Sequence, residues 1–102
     1  MVWVDYAIRL FNGNGVAKDE EAAAAWFERA AEAGDAIAQN RLARILAIGA
    51  GAPPDPVAAA KRHYLARTQG KEDEWLDTFV GGLSDAQRLA AAYAAQRWPA
   101  AE

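Results

Sequence analysis

The chain contains no cysteine, which excludes disulfide staples and thiolate chemistry and leaves the compartment open. It has one histidine, one methionine and four prolines in 102 residues. A single imidazole without thiols leaves only carboxylates for a metal. No EF-hand-like oxygen spacing occurs, so no metal site and no cofactor is expected. Basic residues are not in excess: 11 Lys and Arg stand against 14 Asp and Glu, a net charge of −3. That balance lacks the basic stripe of a nucleic-acid binder. No apolar run reaches the roughly 18 residues of a membrane span. The opening residues Met1 to Asp5 lack the charged and apolar regions of a signal peptide.

What the chain has is alanine, at 27 positions, and four tryptophans. Alanine is the best helix former and buries little area per residue. A thin core of close helix contacts with a few aromatic anchors follows, and the length allows one domain. An offset of 36 residues aligns the chain with itself, with ten identities between Ala7/Ala43 and Gly34/Gly70. Alanine pairs carry little weight in so alanine-rich a chain. Leu10/Leu46, Gly13/Gly49, Gly15/Gly51, Asp19/Asp55 and Gly34/Gly70 carry the repeat, because most fall where helices must start or stop.

Each unit reads as two helices. In the first, helix A ends near Gly13, and Asp19 suits an N-cap with Glu20 and Glu21 in the first turn. Helix B runs from Ala22 to Ala33, with Ala23, Trp26, Phe27, Ala30 and Ala31 on one face, and Gly34 closes it. In the second, helix A spans about Ala36 to Ile48, with Ala38, Leu42, Ile45, Leu46 and Gly49 on one face. Asp55 caps helix B and Pro56 occupies its first position, and Gly70 ends it. A third helix A is expected from near Lys71, carrying Trp75, Leu76 and Phe79 and ending at Gly81-Gly82. Ser84 and Gln87 form a capping box for a last helix from Asp85, with Ala86, Leu89, Ala90, Tyr93 and Ala94 on one face and Pro99 closing it. The prediction is an all-α superhelix, a solenoid of antiparallel helix pairs with about six helices. It divides into repeat one (1–35), repeat two (36–71), a third A helix (72–82) and a capping helix (83–98).

The stretch from Tyr6 to Val16 (YAIRLFNGNGV), then Asp19, Ala25 to Asp35 (AWFERAAEAGD) and Ala38, resembles the Sel-one-like repeat, a relative of the tetratricopeptide repeat. Gly13, Gly15, Val16, Asp19, Trp26, Phe27, Arg29, Ala30, Ala31 and Gly34 match its pattern. The second unit matches less closely, with Ala52 for the valine and Arg62-His63 for the aromatic pair. The resemblance covers residues 2–80. The ending from Leu83 to Trp98 is similar to the C-terminal cap of bacterial members. Ala7 and Ala43 stand where the family has glycine. With Met1 falling inside helix A, the chain is expected to be the C-terminal part of a longer bacterial repeat protein, cytoplasmic or periplasmic.

The resemblance implies a non-enzymatic scaffold that binds another protein or peptide on the concave surface lined by A helices. Residues expected there are Ile8, Asn12, Asn40, Arg41, Arg44 and Ile48. Two arginines a turn apart can hold a carboxylate bidentately, although the same pattern suits a solvated polar face. On the first helix, Val2, Tyr6 and Leu10 fit the core, while Val4, Ile8 and Phe11 form a second apolar stripe. A helix apolar on two sides is normally covered on both. An upstream repeat, a binding or self-association surface giving a homo-oligomer, and packing under the chain's own terminus all explain it. His63 replaces Phe27 of the first unit and is expected to pack between helices rather than act as a base, since no nucleophile is in register. Lys71-Glu72-Asp73-Glu74 is expected to serve a helix start, and Trp26 and Trp75 to be core anchors. No set of residues converges on a catalytic constellation.

Overall fold

Every helix start with a short acceptor side chain is capped by it. Asp19 accepts from the Ala22 N–H (3.0 Å), Asp35 from Ala38 (2.8 Å), Asp55 from Ala58 (3.0 Å) and Asp73 from Leu76 (3.1 Å). Ser84 and Gln87 form the reciprocal capping box expected of them. The computed structural model describes residues 2–99. Six helices follow in order: α1 (Val2–Asn12), α2 (Glu20–Glu32), α3 (Ala36–Ile48), α4 (Pro56–Thr68), α5 (Glu74–Gly81) and α6 (Asp85–Gln96). No strand occurs among the described residues. The first unit is the α1–α2 pair and the second the α3–α4 pair. α2 packs on α3, and α6 lies against α4.

The core is alanine-lined, as the composition requires. Ala7, Ala23, Ala30, Ala31, Ala38, Ala43, Ala59, Ala60 and Ala66 are fully buried, which lets helix backbones approach closely. The largest fully buried side chains are Phe27, Leu76, His63 and Gln39. Burial of a side chain such as Leu76 contributes about 2 kcal/mol. A polar seam joins the two units. Gln39 Nε2 donates to the Ala31 carbonyl (2.8 Å), and buried Arg62 donates to Glu32 Oε1 and, at 3.5 Å, to Gln39 Oε1. The Arg62 hydrogen bond holds the Glu32 carboxyl below its usual value, against the opposing effect of burial.

Gly51 fits the seam for a steric reason. Its φ is +95°, and a Cβ there would stand 2.2 Å from the Glu20 carbonyl oxygen of the first unit. Only glycine allows that approach.

Several sequence expectations are corrected. On α1 the core residues are Val4, Ala7 and Leu10, whereas Val2 and Tyr6 are exposed. The stripe carrying Ala7 faces inward because a methyl group lets α1 close on its partner. Val4, assigned to an open apolar stripe, is therefore core; Ile8 and Phe11 are half-buried beside it. Trp26 is half-buried and Trp75 is 45% exposed, stacked on Phe79 with ring centroids 5.9 Å apart. On α6, Leu89 and Tyr93 face solvent and Ala91 is the buried contact, so the helix turns its alanine ridge, not its large apolar residues, toward α4. The third A helix starts at Glu74, after its cap at Asp73, rather than near Lys71. Trp98 is half-buried near Gly34. Met1 lies outside the described residues.

Candidate functional site

α1, α3 and α5 contribute to one face of the molecule, and a cleft of about 190 Å³ opens between α1 and α3. Ile8, Phe11 and Asn12 form one wall, Arg41, Arg44, Ile45 and Ile48 the other, and Phe27 of α2 the floor. A broader hollow of about 690 Å³ shares Ile8, Arg41 and Arg44 with it and extends to Ile37, Asn40 and the segment Lys71 to Trp75. The helical period explains the convergence. Ile8 and Asn12 are the 36-residue counterparts of Arg44 and Ile48, so equivalent faces of α1 and α3 border one groove.

The six residues expected on this surface from sequence all border the groove, though in different states. Arg41, Arg44, Ile48 and Asn12 are exposed and Ile8 is half-buried. Asn40 is buried, and its amide donates to Asp73 Oδ2 at 2.9 Å. Arg44 is also engaged within the molecule. Its Nε donates to Asp73 Oδ2 (2.6 Å) and its Nη2 to Oδ1 (2.9 Å), a bidentate pair. Its guanidinium sits 5.3 Å from the centre of the Trp75 ring. The two arginines are thus not equivalent. Arg41 has no carboxylate within ion-pair distance among the described residues.

Asp73 organises this end of the groove. Burial raises its pKa, but hydrogen bonds from Arg44, Asn40 and the Leu76 N–H outweigh that and hold the carboxyl well below the usual range. It therefore stays ionised while capping α5, fixing Arg44 and satisfying Asn40. Sequence reasoning placed Asp73 at a helix start but missed this cross-helix role. An acidic residue where a helix begins can be read from the chain; nothing in the sequence marks its pairing with a residue 29 positions away. Phe27 and Ile45 were also missed as cleft residues, because each belongs to a core-facing pattern.

A second polar cluster lies between α4 and α5. His63 is 1% exposed, as expected for a packed side chain, and its Nε2 lies 2.7 Å from Asp77 Oδ1. Arg67 reaches the same carboxylate at 3.4 Å. Among the described residues no hydroxyl pairs with this imidazole. Among the described residues no group of three His, Cys, Asp or Glu side chains could hold a metal, and no helix is long and apolar enough to cross a membrane.

The Sel1 repeat family model matches residues 4–35 and 36–66. None of the curated proteins matches the chain. Among solved structures, c5321, a protective antigen of uropathogenic Escherichia coli strains displaying an SLR fold, is similar at 29% identity and a TM-score of 0.82. The likeness covers 93% of this chain and 21% of that one. A Sel1 repeat protein from Oxalobacter formigenes is similar at 32% identity and a TM-score of 0.69, over 79% of this chain and 59% of that one. The chain thus spans about a fifth of the first relative's length and about three-fifths of the second's.

Proposed function

Because the chain belongs to the Sel1 repeat family, whose repeats generally serve as non-enzymatic protein–protein interaction scaffolds, we propose that it binds a partner protein in the groove between α1, α3 and α5. The observation that carries this reading is the apolar cleft of Ile8, Phe11, Phe27, Ile45 and Ile48, with the guanidinium of Arg41, unpaired among the described residues, at its edge. A short extended segment fits it, placing one apolar side chain over Phe27 and a carboxylate on Arg41. Arg44 is committed to Asp73, so it shapes the groove and Arg41 supplies the charge. Trp75, with its ring exposed beside the broader hollow, offers a flat apolar surface for the segment to continue along.

Selection of random peptides displayed on phage tests the proposal. Enriched sequences are expected to carry an aliphatic or aromatic residue next to an acidic one. Arg41→Gln is expected to weaken them by about tenfold, the usual cost of a charge-assisted hydrogen bond, and Ile48→Asp to abolish binding. No enrichment, or binders indifferent to both substitutions, rejects the groove. Self-association through Val4, Ile8 and Phe11 is the weaker reading, since burial of Val4 removes one of its three contacts.

A further inference from the structure

Two arginines a turn apart on one helix ordinarily make a site for a doubly charged anion. Arg41 and Arg44 stand three residues apart on α3, so their side chains leave neighbouring positions of one face. Both line the cleft over Phe27, and they are its two charged residues. Guanidinium forks so placed can grip a phosphate group, or two carboxylates, together. Here the chain itself already occupies one of them.

The occupant is Asp73. Nε and Nη2 of Arg44 donate to its two oxygens, the Asn40 amide donates to Oδ2, and Oδ1 accepts from the Leu76 N–H. The Asp73 side chain is 6% exposed against 47% for that of Arg44, so a ligand in the groove meets the guanidinium and not the carboxylate. An incoming anion does not readily displace Asp73, because displacement strips the cap from α5 and leaves the Asn40 amide unpaired. Two of the five N–H donors of Arg44 are engaged with Asp73. The others can still donate, but from an ion pair of zero net charge. The charges at the rim of the broader hollow do not restore the lost cation. Lys71 is exposed there, and Glu72 and Glu74 line the same rim. Among the residues of the cleft, Arg41 alone carries a charge with no partner within ion-pair distance among the described residues.

We propose that Asp73 sets the charge specificity of the groove. By holding Arg44 it leaves one working cation, Arg41. The groove then selects a partner segment with a single carboxylate beside its apolar residue, and a phosphorylated or doubly acidic segment gains nothing. The inference rests on the reading of the groove as a peptide-binding site and names the charge of the peptide it takes. Asp73 acts through Arg44 and is a positioning residue, so selectivity between ligands, rather than affinity for one, is the property that reports its role.

The tightest peptide selected on the wild-type chain provides the probe, made in three dye-labelled forms with Glu, Gln or phosphoserine at its acidic position. Fluorescence anisotropy with the wild-type chain is expected to show Glu about tenfold tighter than Gln, and phosphoserine within about threefold of Glu. With Asp73→Asn, Arg44 is released to join Arg41, and phosphoserine is expected to bind about tenfold more tightly than Glu. Adding Arg44→Gln to Asp73→Asn is expected to remove that gain and keep the affinity for the Glu form. Loss of folded protein weakens all three peptides alike, so the phosphoserine-to-Glu ratio separates specificity from structural damage. A tenfold phosphoserine preference already present in the wild type overturns the proposal, as does a gain in Asp73→Asn that persists without Arg44. Arg41-dependent peptides whose ratio is unchanged by Asp73→Asn overturn this proposal alone. A selection that gives no Arg41-dependent peptide overturns the groove reading and this proposal together.

Discussion

Replacing Asp73 tests how the groove is held together. Asp73→Ala removes three things at once: the cap on the Leu76 N–H, the bidentate partner of Arg44, and the acceptor for the buried Asn40 amide. Loss of the cap costs about 1 kcal/mol. Leaving the Asn40 amide without an acceptor costs about 1–3 kcal/mol. Arg44, whose side chain is 47% exposed, can turn into water, so its share is at most about 1 kcal/mol. Together they amount to about 2–5 kcal/mol, a large part of the stability of so small a domain. Asp73→Asn keeps a good cap and an acceptor for Asn40 but loses the charge, and is expected to cost about half as much. Urea denaturation at neutral pH measures both. The pH dependence provides a second check, because the folded state holds the Asp73 carboxyl below its ordinary value of 3.8. The unfolded chain therefore takes up the proton first as pH falls, and the stabilisation, complete at pH values above 3.8, drains away below it. The gap between wild type and Asp73→Asn is expected to narrow below pH 4. A cost under about 1 kcal/mol for Asp73→Ala, or a gap unchanged by acid, refutes this account of the groove.

Gly51→Ala and Gly15→Ala occupy equivalent positions yet are expected to differ. Gly15→Ala pays only for the left-handed backbone, about 1–2 kcal/mol, whereas Gly51→Ala must also push the Glu20 carbonyl away and is expected to cost at least twice that, read as a difference in urea midpoint. At the seam, Arg62→Ala is expected to destabilise by about 3 kcal/mol and Arg62→Met far less, since an apolar side chain of similar length removes the buried charge rather than opening a void. Equal losses for the two Arg62 substitutions in thermal melts would show that the ion pair with Glu32, not the packing, holds the units together.

Much of the architecture is legible in the chain. Asp19 and Asp55, Ser84 with Gln87, and the glycines after each pair mark the helix boundaries through local geometry, which needs no distant partner. The 36-residue offset places Ile8 with Arg44 and Asn12 with Ile48 in register, so most of the groove can be drawn before the fold is seen. The Sel1 pattern of Gly13, Gly15, Val16, Asp19, Trp26 and Phe27 lies in the same local spacing. The tertiary structure decided which faces meet. Apolar stripes on two sides of α1 look alike in sequence, and only packing on α2 shows that Val4 is core while Tyr6 is surface. It also decided which charges are spent. Arg41 and Arg44 are indistinguishable along the chain, and Asp73 takes one of them because α5 folds back beside α3. Boundaries and periodicity arise from interactions a few residues apart. The choice of face and of partner arises from contacts between distant segments, which exist only once the helices have packed.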